Sequence, residues 1–307
     1  MTIHIRPALG GLKVAAVTRN DISKLHRALS GTPRQANFAL SVCSKAFCLA
    51  ELWDMRPDGT NPCKRIERNA EMHRERFLSG DELSRLGAVL RQAETTGLPW
   101  KVDESKPNSK HLPGAEHRFT VYSRVTTAVV ELLLYTGCRL SEVLSLRWDQ
   151  IDFNAGTILL RKTKAGKPQT VTLNAPARQV LNSLSRDKDC PWVLPGKRIS
   201  DKDQWKPLAK DAMEAAWQRI RAVANINDVR MHDLRHTVGT YAGQSGANAF
   251  LVRDLLRHAN VAMTGRYVNK ADDPVRALND LVGERIAASL EGRPAAEVIR
   301  LRSTFKG

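Results

Sequence analysis

Apolar residues recur at helical spacing over most of this 307-residue chain, with one short interruption by an alternating pattern. Near the start, Thr18 and Asp21 form a capping pair that predicts about ten residues of helix through Leu29. Thr32, Pro33 and Gln35 supply an N-cap, a first-turn proline and a capping-box partner for a second helix. Along it, Ala36, Ala39, Leu40, Cys43, Phe47 and Ala50 fall on one face. The turn sequence Arg56-Pro57-Asp58-Gly59 must end it. Residues 61–76 are polar and rich in arginine, the composition of an interdomain linker and equally of a solvated loop.

A second domain opens at Phe77, where Ser79 and Glu82 form a capping box and Leu78 with Leu83 a hydrophobic staple. Residues 101–118 are polar and aperiodic and are expected to be a surface insertion. Helical periodicity returns over 120–134, with Val125, Val129, Leu132 and Leu133 apolar, and Gly137 breaks it. The period then falls to two. Residues 157–161 and 169–173 flank a turn around Ala165-Gly166 and predict a β-hairpin. Further helices are predicted over 212–224, 232–243, 250–257 and 274–290. In the last, Val275, Leu278, Leu281, Val282, Ile286 and Leu290 line one stripe. The fold class is therefore mainly α with a small antiparallel β-sheet.

Charge changes this picture from a generic helical protein to one with a polyanionic partner. The chain carries 48 Lys+Arg against 32 Asp+Glu, a formal net charge of +16. The excess lies in both predicted domains, which suits gripping a duplex from two sides better than a basic tail would. No apolar run approaches the ~20 residues of a membrane span, and MTIHIRPALGG has no signal-peptide core. Cys43, Cys48, Cys63, Cys138 and Cys190 form no C-x-x-C pair, so zinc-ribbon spacing is absent and reduced thiols in a cytoplasmic protein are expected.

Four segments concentrate unusual polar groups. In TGCRLSEVLSLRW, Arg139 stands at a helix start behind Gly137. A cation there opposes the helix dipole unless an anion bridges the two; a surface arginine is the plainer alternative. The hairpin turn carries Lys162, Lys164 and Lys167, which suits either a solvated basic loop or a lysine pushed into a groove to deliver a proton. In HDLRH, His232, Arg235 and His236 share one helical face. H-x-x-x-H is also a zinc-protease spacing. Here, however, Asp233 stands where the catalytic Glu would be, and a guanidinium lies between the imidazoles, which opposes a dication. A phosphate suits this set better, although His236, more than His232, also reads as a satisfied core histidine. Finally, LLRH and TGRY bring His258 and Tyr267. A phenol of pKa ~10 is a poor nucleophile near neutral pH unless cations stabilise the phenolate and the pentavalent transition state.

Arg139, Lys164, His232-x-x-Arg235, His258 and Tyr267 occur in one order at wide spacings. With T-G-C-R-L-S-E-V, H-D-L-R-H-T and the R-Y that follows a histidine, the chain resembles the tyrosine recombinases, or phage integrases, over residues 77–290. Residues 1–76 resemble the later part of the family's helical core-binding domain, including A-x-x-W-x-x-R-x-x-G-x-N-P from Ala50 to Pro62. The resemblance implies a core-binding domain with linker over 1–76, a catalytic domain over 77–292 and a tail over 293–307. It also implies roles. Tyr267 attacks the scissile phosphate and leaves a 3′-phosphotyrosine and a free 5′-hydroxyl. Arg139 and Arg235 hold the non-bridging oxygens, Lys164 protonates the leaving oxygen, His232 handles the proton of the nucleophile, and His258 donates to the phosphate. Glu142 orients the site. No cofactor and no metal are implied, because two guanidiniums stand where most phosphoryl-transfer sites use a cation.

By the same resemblance the partner is double-stranded DNA at attachment sites. The protein is expected to be a monomer alone and a homotetramer on DNA, with accessory DNA-bending proteins possible and a cytoplasmic, nucleoid-associated location. Integration or excision of a mobile element is the implied task. A catalytically decayed integrase that only binds DNA, and a type IB topoisomerase, are the alternatives. Two departures from the family pattern carry expectations. Arg257 replaces the glycine of L-G-H, which is strained if the position needs a positive φ and could displace His258. The chain also begins in what looks like the middle of the core-binding domain, which is expected to leave the face around Phe38, Val42 and Phe47 partly uncovered.

Overall fold

The computed structural model describes residues 2–72, 75–99, 114, 117–161, 166–196, 205–258, 260 and 263–268. The chain divides into two compact units, Met1–Arg74 and Glu75–Gly307. No helix among the described residues is long and apolar enough to cross a membrane.

The first unit is helical: α1 (Ile5–Leu9), α2 (Arg19–Ala28) and α3 (Pro33–Leu52). The Thr18 cap forms as the sequence predicts, its hydroxyl accepting from Asp21 N while the Asp21 carboxylate accepts from Thr18 N at 2.9 Å. The cap predicted at Thr32 does not. Its hydroxyl donates backward to the Leu29 carbonyl, and the Gln35 amide meets His4 at 2.6 Å, so Pro33 opens α3 without a side-chain cap. Leu9, Val17, Ile22, Leu25, Leu40, Cys43, Phe47 and Cys63 make this unit's core. Phe47 is thus buried, and the uncovered face expected around it narrows to Phe38, which is 69% exposed. Burial beside two other thiols pushes Cys63 up to about 12, the range of an inert core thiol.

The stretch after α3 is a strap and not the free loop its composition suggests. Asn61 donates from its backbone to Glu51 (2.6 Å) and from its side chain to the Ser44 carbonyl (3.0 Å). The buried Asn37 amide donates to the Asn69 carbonyl and to Glu71, both at 2.8 Å. Side chains that look solvent-seeking in sequence here satisfy backbone and buried polar groups.

The second unit begins by anchoring itself to what will be the site helix. Arg76 pairs with Glu82 at 2.6 Å and Asp228 at 2.7 Å, and Leu78 N donates to the buried Thr237 hydroxyl at 2.9 Å. The Ser79–Glu82 capping box then opens α4 (Gly80–Thr95). α5 (Arg124–Thr136) runs through the middle of the core, with Ala128, Val129, Val130, Leu132 and Leu133 almost wholly buried. It packs on α6 (Leu140–Leu144), α7 (Ala175–Asn182) and α9 (Met231–Gln244). α8 (Lys210–Val223) contributes Met213, Trp217 and Ile220, with the Trp217 indole donating to the Val229 carbonyl at 3.1 Å. α10 (Ala249–Leu256) and the four-residue α11 (Gly265–Val268) follow.

The expected hairpin is present as β4 (Thr157–Leu160) and β5 (Gln169–Thr172), and a short β3 (Ile151–Asp152) extends it to a three-stranded antiparallel sheet in the order β3-β4-β5. Its register pairs Ile158 with Val171, both buried on the core face. A second pair, β1 (Leu98–Pro99) with β2 (Phe119–Thr120), flanks the segment read as an insertion. Two-residue strands offer too little alternation to be seen in sequence, which is why β1, β2 and β3 went unpredicted.

Candidate active site

The backbone of the site is set by Gly137. It ends α5 in the left-handed conformation (φ 60°, ψ 18°), and a Cβ there would stand 3.1 Å from Leu256 and 3.3 Å from Val238. The sharp turn leaves Arg139 as the N-cap of α6. Its N–H donates to one oxygen of Glu142 and its guanidinium to the other, each at 2.8 Å. Glu142 is therefore the anion that an arginine at a helix start requires. Burial works to raise this carboxyl, but the Arg139 backbone, its guanidinium and that of Arg257 outweigh it and hold the group below its ordinary range.

Arg235 comes from α9 and is only 3% exposed. Its guanidinium donates to the carbonyls of Gly137, the C-cap of α5, and Leu256, the last residue of α10. Desolvation, with Arg139 and then Arg257 nearby, pulls it down to about 10. Arg257 supplies the third guanidinium. It reaches Glu142 at 3.5 Å and the Cys138 sulfur at 3.3 Å, and its buried Nε has no hydrogen-bond partner among the described residues. The guanidiniums of Arg139 and Arg257 thus share the Glu142 carboxylate while that of Arg235 lies close to both, a balance that favours a further anion.

Arg257 sits at φ 52°, ψ 48°, the left-handed region that the family's glycine would adopt freely. His258, the next residue, lies beside Tyr267. That imidazole lies 6.1 Å from the Tyr267 ring at 21°, and its Nδ1 is 3.1 Å from the Thr264 hydroxyl.

Tyr267 is carried by α11, which rests on α9 over two bare positions. A Cβ on Gly239 would stand 2.9 Å from Cε1 and Cζ of the tyrosine ring, and one on Gly243 would overlap the Tyr267 carbonyl oxygen. The ring is 6% exposed, packed with Val252 and Leu256. Its hydroxyl lies 2.5 Å from Nδ1 of His236, and the His232 ring meets His236 edge-on at 4.8 Å. One face of α9 therefore presents His232, Arg235, His236, Gly239 and Gly243 in succession. The helix starts with Asp233 accepting from Arg230 N at 2.8 Å, so the aspartate in H-D-L-R-H is a helix-cap residue. Among the described residues no group of three His, Cys, Asp or Glu is placed to hold a metal ion.

A cleft of about 420 Å³ opens beside this face, lined by Arg139, His232 and Arg235 together with Lys210, Arg221 and Arg230. Of the residues singled out in sequence, Arg139, His232 and Arg235 line this cleft, while Tyr267, with His258 beside it, connects to it through His236 and His232. Lys164 lies outside the described residues, as does the predicted helix over 274–290. Sequence reasoning passed over His236 as a core histidine and gave no role to Gly239 and Gly243. The one available signal was their common face with His232, about one, two and three turns further on.

Comparison with known proteins follows the same lines. Tyrosine recombinase XerC of Mycobacterium tuberculosis is 30% identical over 164 residues, covering 50% of this chain and 52% of the relative. Tyrosine recombinase XerA of Pyrococcus furiosus is 25% identical over 172 residues, covering 52% and 58%. The chain thus spans about half the length of the curated relatives it matches. In fold it is similar to a lambda integrase dimer bound to a COC′ core site, with a TM-score of 0.62 at 16% identity over 88% of this chain and 85% of that one. It is equally similar to the Tn1549 transposon integrase in complex with circular intermediate DNA, with a TM-score of 0.62 at 18% identity over 90% and 89%. Residues 116–273 match the sequence model of the phage integrase family, and the chain belongs to that family, the tyrosine recombinases.

Proposed function

We propose that the protein is a site-specific DNA recombinase that breaks and rejoins strands through a 3′-phosphotyrosyl bond to Tyr267. The observation that carries this reading is the convergence on α9. A buried phenol with its hydroxyl against an imidazole, a guanidinium excess and a basic cleft meet at one place. Arg139 and Arg235 bind the non-bridging oxygens and stabilise the charge that grows on them in the transition state. His258 donates to the phosphate, and the α9 histidines serve the proton of the nucleophile, with His232 assigned by the family pattern. Lys164 protonates the departing 5′-oxygen. The ester exchange conserves the bond energy, so rejoining is the same step in reverse.

The substrate is double-stranded DNA, with integration or excision of a mobile element as the task. The two-unit layout, a helical unit ahead of a catalytic one, supports gripping the duplex from both sides. A solved structure of similar fold is a lambda integrase tetramer bound to a Holliday junction, which supports assembly as a tetramer on paired sites from a monomer in solution. Residues 274–290 would couple neighbouring subunits in that ring, and accessory bending proteins and a nucleoid location fit the same reading.

The test is a set of nicked duplexes drawn from the DNA flanking the gene. The wild-type protein should give covalent adducts stable to denaturation, in excess EDTA as well as without it. Tyr267→Phe should bind the same DNA and give none. Adducts formed by Tyr267→Phe would place the nucleophile elsewhere, and their absence from the wild type would favour a decayed, DNA-binding integrase.

A further inference from the structure

We infer that His236 is the residue that takes the proton from Tyr267, acting through Nδ1. This rests on the recombinase reading and changes one assignment within it, because the family pattern gives that task to His232.

The argument begins with burial. With Tyr267 only 6% exposed, its hydroxyl cannot rely on bulk water to accept the proton when the phenolate forms. A base must lie within hydrogen-bond reach, and among the described residues Nδ1 of His236 lies there at 2.5 Å. The approach is fixed from several directions. Gly239 leaves room for the tyrosine ring and Gly243 for its carbonyl, each so close that a methyl group would intrude. His258 lies nearly parallel to the ring on another side, 6.1 Å away, and is itself tied to Thr264. With its proton on Nε2, neutral His236 turns the Nδ1 lone pair toward the hydroxyl. His232 is one helical turn back on the same face, its ring edge-on to His236 at 4.8 Å and open to the cleft. That position suits contact with the phosphate more than with the phenol.

The step balances without a co-reactant. The Tyr267 O–H proton moves to His236 Nδ1, the phenolate oxygen forms a bond to phosphorus, the P–O5′ bond breaks, and the 5′-oxygen takes its own proton from Lys164. Rejoining returns each proton to its source.

The test compares variants of the full chain on a nicked duplex that gives adducts with the wild type. His236→Asn keeps an acceptor near the Nδ1 position but cannot hold a proton at neutral pH. Its rate of adduct formation should fall roughly 10²–10⁴-fold with DNA affinity unchanged. Replacing the scissile 5′-oxygen by sulfur, a leaving group that needs no proton, should rescue Lys164→Ala and leave His236→Asn slow. In His236→Ala, which opens space at the ring, added imidazole should restore adducts at least tenfold. A rate for His236→Asn within threefold of wild type would overturn the inference, as would rescue of His236→Asn by the sulfur substrate or no response of His236→Ala to imidazole. Absence of adducts from the wild type on every duplex would instead overturn the recombinase reading itself.

Discussion

The two halves of the site are held in opposite ways. The guanidinium half is over-determined. Arg139 is fixed by its own helix cap, Arg235 by two helix-end carbonyls, and Arg257 by Glu142 and Cys138, with Arg235 and Arg257 buried. Among the described residues the nucleophile half rests on a four-residue helix, two glycines beneath it, packing on Val252 and Leu256, and hydrogen bonds at His236 and Thr264. The difference follows from what each must do. Clustered cations lose attraction for a phosphate if they can relax apart, so a preorganised network holds them. A tyrosine that attacks, stays covalently attached and then leaves again is better served by a short segment that can shift.

This contrast predicts that the largest effect on cleavage comes from the smallest change under the tyrosine. Gly243→Ala adds one methyl group where the Tyr267 carbonyl oxygen now sits. α9 itself should gain, since alanine in a helix interior is better than glycine by about 1 kcal/mol. The α11 segment should be lifted away. Adduct formation should fall at least a hundredfold while the melting temperature holds or rises. Gly239→Ala, with its 2.9 Å approach to the ring, should give a milder form of the same split. A Gly243→Ala protein that cleaves normally would mean that the nucleophile segment is not seated by α9.

The guanidinium half should respond through stability first. Glu142→Gln keeps the shape but removes the charge facing Arg139 and Arg257, and loss of one partner from a buried pair costs about 3–5 kcal/mol. Because the Glu142 carboxyl is held below its ordinary range, its contribution is fully present above the unfolded value of about 4.3 and is lost as pH falls through the lower folded value. Thermal melts between pH 6 and pH 3 should therefore show wild type and Glu142→Gln converging in acid. Parallel curves at every pH would mean that the carboxylate is not the counter-ion described here.

The same contrast explains what could be read from the sequence. The guanidinium half rests on local signals: Gly137 before Arg139, Glu142 three residues later, and the i, i+3, i+4 set on α9. Each of these signals spans only a few residues. The hairpin and the Thr18 and Ser79 caps were legible for the same reason. The Tyr267–His236 pair spans 31 residues and depends on two glycines that a pattern reading treats as mere tolerance in a helix. Thr32 shows the limit from another side: it has the residues of a cap, but its hydroxyl is taken by the preceding turn. The hydrogen bonds of the strap after α3 are not legible because asparagines that bond backbone and buried groups have the same composition as asparagines in water.

The smallest effect should separate the two things that Arg257 does. At φ 52° it pays a conformational cost that glycine avoids, about 1 kcal/mol, and in return it places a guanidinium on Glu142 and Cys138. Arg257→Gly removes cost and contacts together, so its stability should stay close to wild type. Arg257→Ala keeps the cost and loses the contacts, so it should fall below Arg257→Gly by about the same 1 kcal/mol, a few degrees of melting temperature in a unit of this size. Both variants remove a positive neighbour that depresses Arg235 and leave Glu142 to Arg139 alone. If Arg257 belongs to the rigid half, both should bind DNA less tightly and to the same extent, whatever their difference in stability. Equal melting temperatures would show that the left-handed backbone costs nothing here. A DNA affinity that tracks stability instead of charge would mean that Arg257 acts on the fold of the α10 end and not on the anion.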